Sequence, residues 1–214
     1  MTEWTSNISA GVNAEGQGGP ALAFEDAVLL KRCRDGEMGG FAVLIRKYQD
    51  RLYNAILKMC GNPDDAEELC QEAFVKALEN LGTFRQDSGF YTWLFRIGMN
   101  LTISRRRKGG RVKFHSLDPG GRDDEPPQRL RDALADRAQR DPAEEAAQKD
   151  VNRRVMEALA EVEDDFRAVV VLRDIEEMSY KQISRVLGTP VGTVKSRLYR
   201  ARCMLKESLE SLIH

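Results

Sequence analysis

No run of about 18 apolar residues occurs in this 214-residue chain, and no basic-then-apolar leader opens it, so neither a membrane span nor an export signal is expected. The cytoplasm is the expected location. Histidine is scarce, with two in the chain, and the four cysteines, Cys33, Cys60, Cys70 and Cys203, never fall in a C-x-x-C spacing. Zinc sites need such clusters, so no metal and no cofactor are expected, and the cysteines, three of them within apolar helical patterns, are read as buried or free thiols. The acids at 64–72 and 123–125 have neither metal-ligand nor acid/base organisation, which argues against an enzyme. Strand alternation and internal repeats are missing too, leaving helical spacing as the pattern throughout and an all-α fold as the expectation. With 42% hydrophobic and 31% charged residues, the chain can still bury the cores of one or two small domains.

Acid is also missing from residues 179–206, where seven basic side chains (Lys181, Arg185, Lys195, Arg197, Arg200, Arg202 and Lys206) stand in a chain whose net charge is -1. A short helix with Ile183, Val186 and Leu187 inward is expected to stop at Gly188, which can take a left-handed cap, and Pro190 cannot continue it. A second helix follows with Val191, Val194, Leu198, Ala201 and Leu205 on one face. Two short helices, a tight turn and a basic second helix match a helix-turn-helix that sets one helix in the DNA major groove.

The rest divides at changes in composition. Residues 1–23 are small, polar and Gly-rich and are read as a disordered tail, and residues 109–140 lose periodicity and gather Gly, Pro and acids, as an interdomain linker would. Between them, at about 24–108, lies a helical domain. In it Asn62 and Pro63 open a helix whose outer face is acidic, with Asp64, Asp65, Glu67, Glu68, Glu72 and Glu79 against Lys76, and Gly82 is expected to end it. Phe84, Phe90, Tyr91, Trp93 and Phe95 then crowd one corner, followed by Arg96, Asn100 and the cations Arg105, Arg106, Arg107 and Lys108. Aromatic faces beside a cationic track suit single-stranded bases, although at least half of these rings are expected to be core. A second helical domain, at about 141–212, opens with Asp141, Pro142 and Glu144, has a further helix carrying Phe166, Val169, Val170 and Leu172, and ends in the helix-turn-helix.

Three long motifs now stand in a fixed order: D-A-E-E-L-C-Q-E-A-F-V-K-A-L at 65–78, T-F-R-Q-D-S-G-F-Y-T-W-L-F-R-I-G-M-N at 83–100, and M-S-Y-K-Q-I-S-R-V-L-G-T-P-V-G-T-V-K-S-R-L-Y-R-A-R at 178–202. Together they resemble the extracytoplasmic-function sigma factors of bacteria, in the family's order of region 2, linker and region 4, over roughly residues 25–210. The resemblance implies a promoter-specificity subunit that binds core RNA polymerase, recognises and melts the -10 element with region 2 and binds the -35 element with region 4, with a stress response as the expected setting. It puts Asp65, Glu68, Gln71, Glu72 and Phe74 on the polymerase-binding helix. It assigns Phe84, Arg85, Asp87, Ser88, Tyr91, Trp93, Arg96, Asn100, Arg105, Arg106 and Arg107 to the downstream, single-stranded element, with a base flipped into the loop at 83–89. Lys195, Ser196, Tyr199 and Arg200 match base-facing positions for duplex DNA, and Arg197 and Arg202 flank them towards phosphate. Tyr199 has two readings, against a thymine methyl or inside the core. Many family members are restrained by an anti-sigma factor, and such a partner is left open here. A free-standing helix-turn-helix regulator that needs no polymerase is the alternative, and gel shifts with and without core polymerase separate the two.

Overall fold

The computed structural model describes residues 20–84, 88–109 and 142–213, and the described residues are helical with no strand. Helix α1 spans Pro20–Arg34, α2 Gly39–Cys60, α3 Pro63–Glu79 and α4 Phe90–Gly109, with a short 3-10 turn at Leu81–Thr83. The second half contains α5 (Pro142–Glu161), α6 (Asp164–Val170), a π turn at Val171–Ile175, α7 (Tyr180–Leu187) and α8 (Val191–Ile213). The fold class is the one expected. Most of the expected linker and tail lies outside the described residues, but α1 reaches back to Pro20, where a proline at the first helical position forfeits no intrahelical hydrogen bond.

Local chemistry fixes most of the boundaries. The Asn62 side chain accepts from the backbone N–H groups of Asp64 at 2.9 Å and Asp65 at 3.1 Å, opening α3 as its Asn-Pro start predicts. Gly188 ends α7 in the left-handed conformation at φ 63°, and the Ser179 and Gln182 side chains form a reciprocal capping box at its other end. Two boundaries differ from expectation. Helix α3 stops at Glu79, before Gly82, because Asn80 folds its side-chain amide back onto the Lys76 carbonyl at 2.8 Å. The helix expected to carry Phe166 through Leu172 loses its α pitch after Val170 and becomes the π turn.

In the first half, α2 is the centre: Leu44, Leu52, Ala55, Ile56 and Met59 are fully buried against α1, α3 and α4. Helix α4 presses closely onto it at Gly98, where a Cβ would stand 2.8 Å from Leu52 Cδ1, so any larger residue would require the buried Leu52 side chain to shift. The other side of α4 packs on α7, and α2 also meets the π turn. The two expected helical units are therefore in contact, and their buried side chains form one continuous apolar cluster.

Candidate nucleic-acid interface

Helix α8 turns Val194, Leu198 and Ala201 inward and leaves Lys195, Ser196, Tyr199, Arg200 and Arg202 exposed. Tyr199 is 72% exposed, which removes it from the core and settles its two readings in favour of the surface. The flanking cations are held by acids: Arg197 donates to Asp165 at 2.7 Å, and Arg202 Nε donates to Asp174 at 3.1 Å. Lys195 stands over the ring of Tyr180 at 5.5 Å, and Ser196 donates to the Thr193 carbonyl at 3.1 Å. The outward face thus offers an ammonium, a hydroxyl, a phenol and a guanidinium, the donor set that suits base edges.

On α3, Glu68 and Gln71 are exposed and Asp65 and Glu72 half-buried, beside the exposed apolar residues Val75 and Leu78. Arg105 of α4 reaches across to this face and grips Glu68 with two bonds of 2.7 and 2.8 Å. That grip holds the Glu68 carboxyl below the usual carboxylate range and raises the Arg105 guanidinium. Phe74, expected among the partner-contacting residues, instead lies in the core at 7% exposure with its ring edge-on to Phe41, because its helical position falls on the same face as Cys70, Ala73 and Ala77.

The aromatic corner is mostly interior. Phe84, Phe90, Tyr91 and Phe95 are buried, and Trp93 is half-buried with its ring 4.8 Å from that of Phe84. Phe84, expected in the base-receiving loop, is thus packed in the core, and Arg34 donates to its carbonyl at 2.6 Å. Ser88 is half-buried; Arg85 and Asp87 lie outside the described residues. Arg96, Asn100 and Arg107 are exposed along α4. Arg106 is not: its side chain is 9% exposed, donating to the Met59 carbonyl at 2.8 Å and to Asp164 at 2.7 Å. Tyr91 is equally withdrawn, its hydroxyl donating to Glu176 at 2.8 Å, and burial and then the Glu176 charge push its ionisation well above the ordinary tyrosine range.

Sequence reasoning missed Arg51, Asp164, Asp165, Arg167 and Glu176, whose side chains link the halves. No periodic pattern or motif marks them, since their partners in the other half lie 58 to 125 residues away. Among the described residues no group of His, Cys, Asp and Glu could hold a metal ion, and no helix is long and apolar enough to cross a membrane.

A basic helix-turn-helix joined to a four-helix unit with an acidic face and an aromatic corner defines a helical DNA-binding protein with a second, protein-facing surface. Residues 44–112 match the Sigma-70 region 2 family and residues 152–205 match Sigma-70, region 4. The chain is 32% identical over 202 residues to the RNA polymerase sigma-H factor of Pseudomonas aeruginosa, covering 88% of this chain and 96% of that one. It is 33% identical over 183 residues to the ECF RNA polymerase sigma factor SigW of Bacillus subtilis, covering 86% and 96% respectively. Among solved structures it is similar to CnrH in complex with the cytosolic domain of CnrY, with a TM-score of 0.62 and 26% identity over 87% of this chain and 98% of that one. The chain belongs to the ECF family of RNA polymerase sigma factors. Its function is that of the family, promoter-directed initiation of transcription with RNA polymerase.

Proposed function

We propose that the chain works in the cytoplasm through three surfaces. The acidic face of α3, with Asp65, Glu68, Gln71 and Glu72, meets core RNA polymerase. Arg96, Asn100 and Arg107 on α4, with the loop that ends at Phe90, hold the melted strand of the -10 element. Phe84, Trp93 and Phe90 pack on one another, edge-on or tilted, beside the start of α4. Lys195, Ser196, Tyr199 and Arg200 read the duplex -35 element, and Arg197 and Arg202 approach phosphates.

One observation carries this reading. Tyr199 and Arg200 stand exposed on α8 directly opposite the buried Val194, Leu198 and Ala201, so the half's own core orients the reading face outward. Acid on α3 is then the charge of a protein contact, since a like-charged phosphate backbone would be repelled there. The similarity to CnrH, solved with the cytosolic domain of CnrY, supports a further protein partner.

The test is a pair of variants in reconstituted holoenzyme. Arg200→Ala should relax preference at one or two base pairs of the upstream element, at a cost of about 1–3 kcal/mol, with core binding intact. Reversing charge with Glu68→Lys and Glu72→Lys should weaken core-polymerase binding in competition while helicity by circular dichroism stays the same. Promoter preference untouched by Arg200→Ala would sink the placement of α8 in the groove. Gel shifts of equal strength with and without core polymerase would favour a free-standing regulator.

A further inference from the structure

One arginine of the run at 105–107 is turned away from the side of α4 that carries the exposed polar residues. At about 100° per residue, Arg105 stands roughly 180° around the helix from Arg96, 140° from Asn100 and 160° from Arg107, so it leaves the line given above to the melted strand. Its side chain crosses to α3 instead. The guanidinium closes on Glu68 as a fork, Nη1 donating to Oε2 at 2.7 Å and Nη2 to Oε1 at 2.8 Å, and Nη1 also lies 3.6 Å from Asp65 Oδ1. Two carboxylates of the acidic face therefore share one cation of α4.

Exposure limits what this fork can do for the fold. The Glu68 side chain is 66% exposed and that of Arg105 34%, a range in which ion pairs add little stability. What a bidentate pair fixes is direction, because two parallel bonds allow one orientation of the carboxylate where a single contact allows many. An unheld glutamate on a helix surface samples several rotamers, and ordering it on binding costs affinity; a glutamate held in advance avoids that loss. The fork uses one lone pair of each Glu68 oxygen and one N–H of each terminal nitrogen of Arg105, so both groups keep capacity for a further bond. Glu72 and the exposed Val75 follow on the same side of α3, one and two turns further on.

We propose that Arg105 is a positioning residue of the polymerase-facing surface: it sets Glu68, with Asp65 beside it, in the orientation that core RNA polymerase binds, and takes no part in holding DNA. The partner surface that fits offers a donor to Glu68 and an acceptor to the remaining N–H groups of Arg105, and so carries both signs of charge. This inference rests on the assignment of α3 to core polymerase.

The experiment uses the full chain. Affinity for core polymerase is read by competition against a labelled copy of the chain, and DNA binding is read with holoenzyme at saturating core on a pre-melted fragment of a promoter selected with the unaltered holoenzyme. Arg105→Ala should weaken core binding roughly three- to tenfold, the loss expected when a long side chain must be ordered on association. Arg105→Lys, which keeps the charge but replaces the fork with a point contact, should recover part of that loss. Placed on a Glu68→Ala background, Arg105→Ala should change core binding by less than about twofold, because its effect passes through Glu68. DNA binding and its salt slope should stay unchanged in Arg105→Ala, whereas Arg107→Ala should lower the slope by about one. Equal losses of core binding with and without Glu68 overturn the inference, since a general packing defect would act in both backgrounds. Core binding unchanged or tightened by Arg105→Ala, where Glu68→Ala weakens it, overturns it too, as does a salt slope lowered by about one in Arg105→Ala, the mark of a phosphate contact. If Glu68→Ala itself leaves core binding untouched, the assignment of α3 to core polymerase falls and the inference falls with it.

Discussion

Arg167 is 1% exposed, yet its guanidinium donates to three backbone carbonyls: Met59 at 2.7 Å, Ala160 at 2.9 Å and Val162 at 2.7 Å. Arg167→Met keeps most of the apolar stem and deletes the three donors. Hydrogen bonds from a charged group contribute about 1.5–3 kcal/mol each, so the gross loss is roughly 5–9 kcal/mol. Against this stands the desolvation of the charge, which with the nearby Arg106 pulls the guanidinium from its usual range to about 10. At about 1.4 kcal/mol per unit, removing that strain returns roughly 3 kcal/mol. The Met59 carbonyl also keeps Arg106 as a donor at 2.8 Å, which places the answer towards the lower end. A net destabilisation of about 2–5 kcal/mol is expected, or a fall in melting midpoint of roughly 5–15 °C for a chain of this size. Thermal unfolding followed by far-UV circular dichroism measures it. Arg167→Lys should fall between the two, because one ammonium cannot serve three divergent carbonyls as a planar guanidinium does. A midpoint unchanged within about 1 °C for Arg167→Met would refute the reasoning and mean that the orphaned carbonyls find other donors.

Phe84→Ala should cost about 3–5 kcal/mol in urea unfolding, since the ring is 5% exposed against Trp93 and Phe90; a stable variant with impaired promoter opening would instead return Phe84 to the base-receiving surface. At about pH 8, iodoacetamide should modify Cys203 in the native chain and spare Cys33, Cys60 and Cys70, because burial raises all three thiols, Cys70 to about 11, and keeps them protonated; rapid loss of four thiols without denaturant would contradict this. Glu177→Gly should raise stability by about 0.5–1 kcal/mol by relieving the left-handed φ of 54°, and a lower melting midpoint would show that the conformation carries no strain.

The sequence made the capped ends legible because caps are local. Asn62 with Pro63, and Gly188, each need only residues within a turn to define a boundary, and each stands where its spacing predicts. The aromatic corner was legible as a cluster but not as to which rings face inward. Phe84 and Phe90 pack edge-on at 6.3 Å, and that depends on how α4 approaches the turn before it. The break after Val170 was invisible for a related reason. The β-branched valines of V-V-V-L-R-D-I lower helix propensity but do not mark where the pitch changes, and the π turn coincides with the place where the chain meets α2 and delivers Glu176 to Arg51. Long-range pairs of this kind leave no periodic trace, so the candidate DNA residues could be named while the acids that hold several of them could not.

Those acids also change what the basic stretch at 179–206 can do, and exposure decides how much. The Arg202–Asp174 pair has side chains 56% and 33% exposed, where ion pairs are worth about 0–1 kcal/mol and are screened by salt. A DNA phosphate can therefore displace Asp174 at little cost, and Arg202 stays available for backbone contact. Glu176 differs in kind. At 5% exposure, with Tyr91 and Arg51 both bound, its carboxylate cannot exchange partners in place, because losing either one strands a buried charge. Local unpairing on α8 is thus the easy step and separation of the halves the hard one.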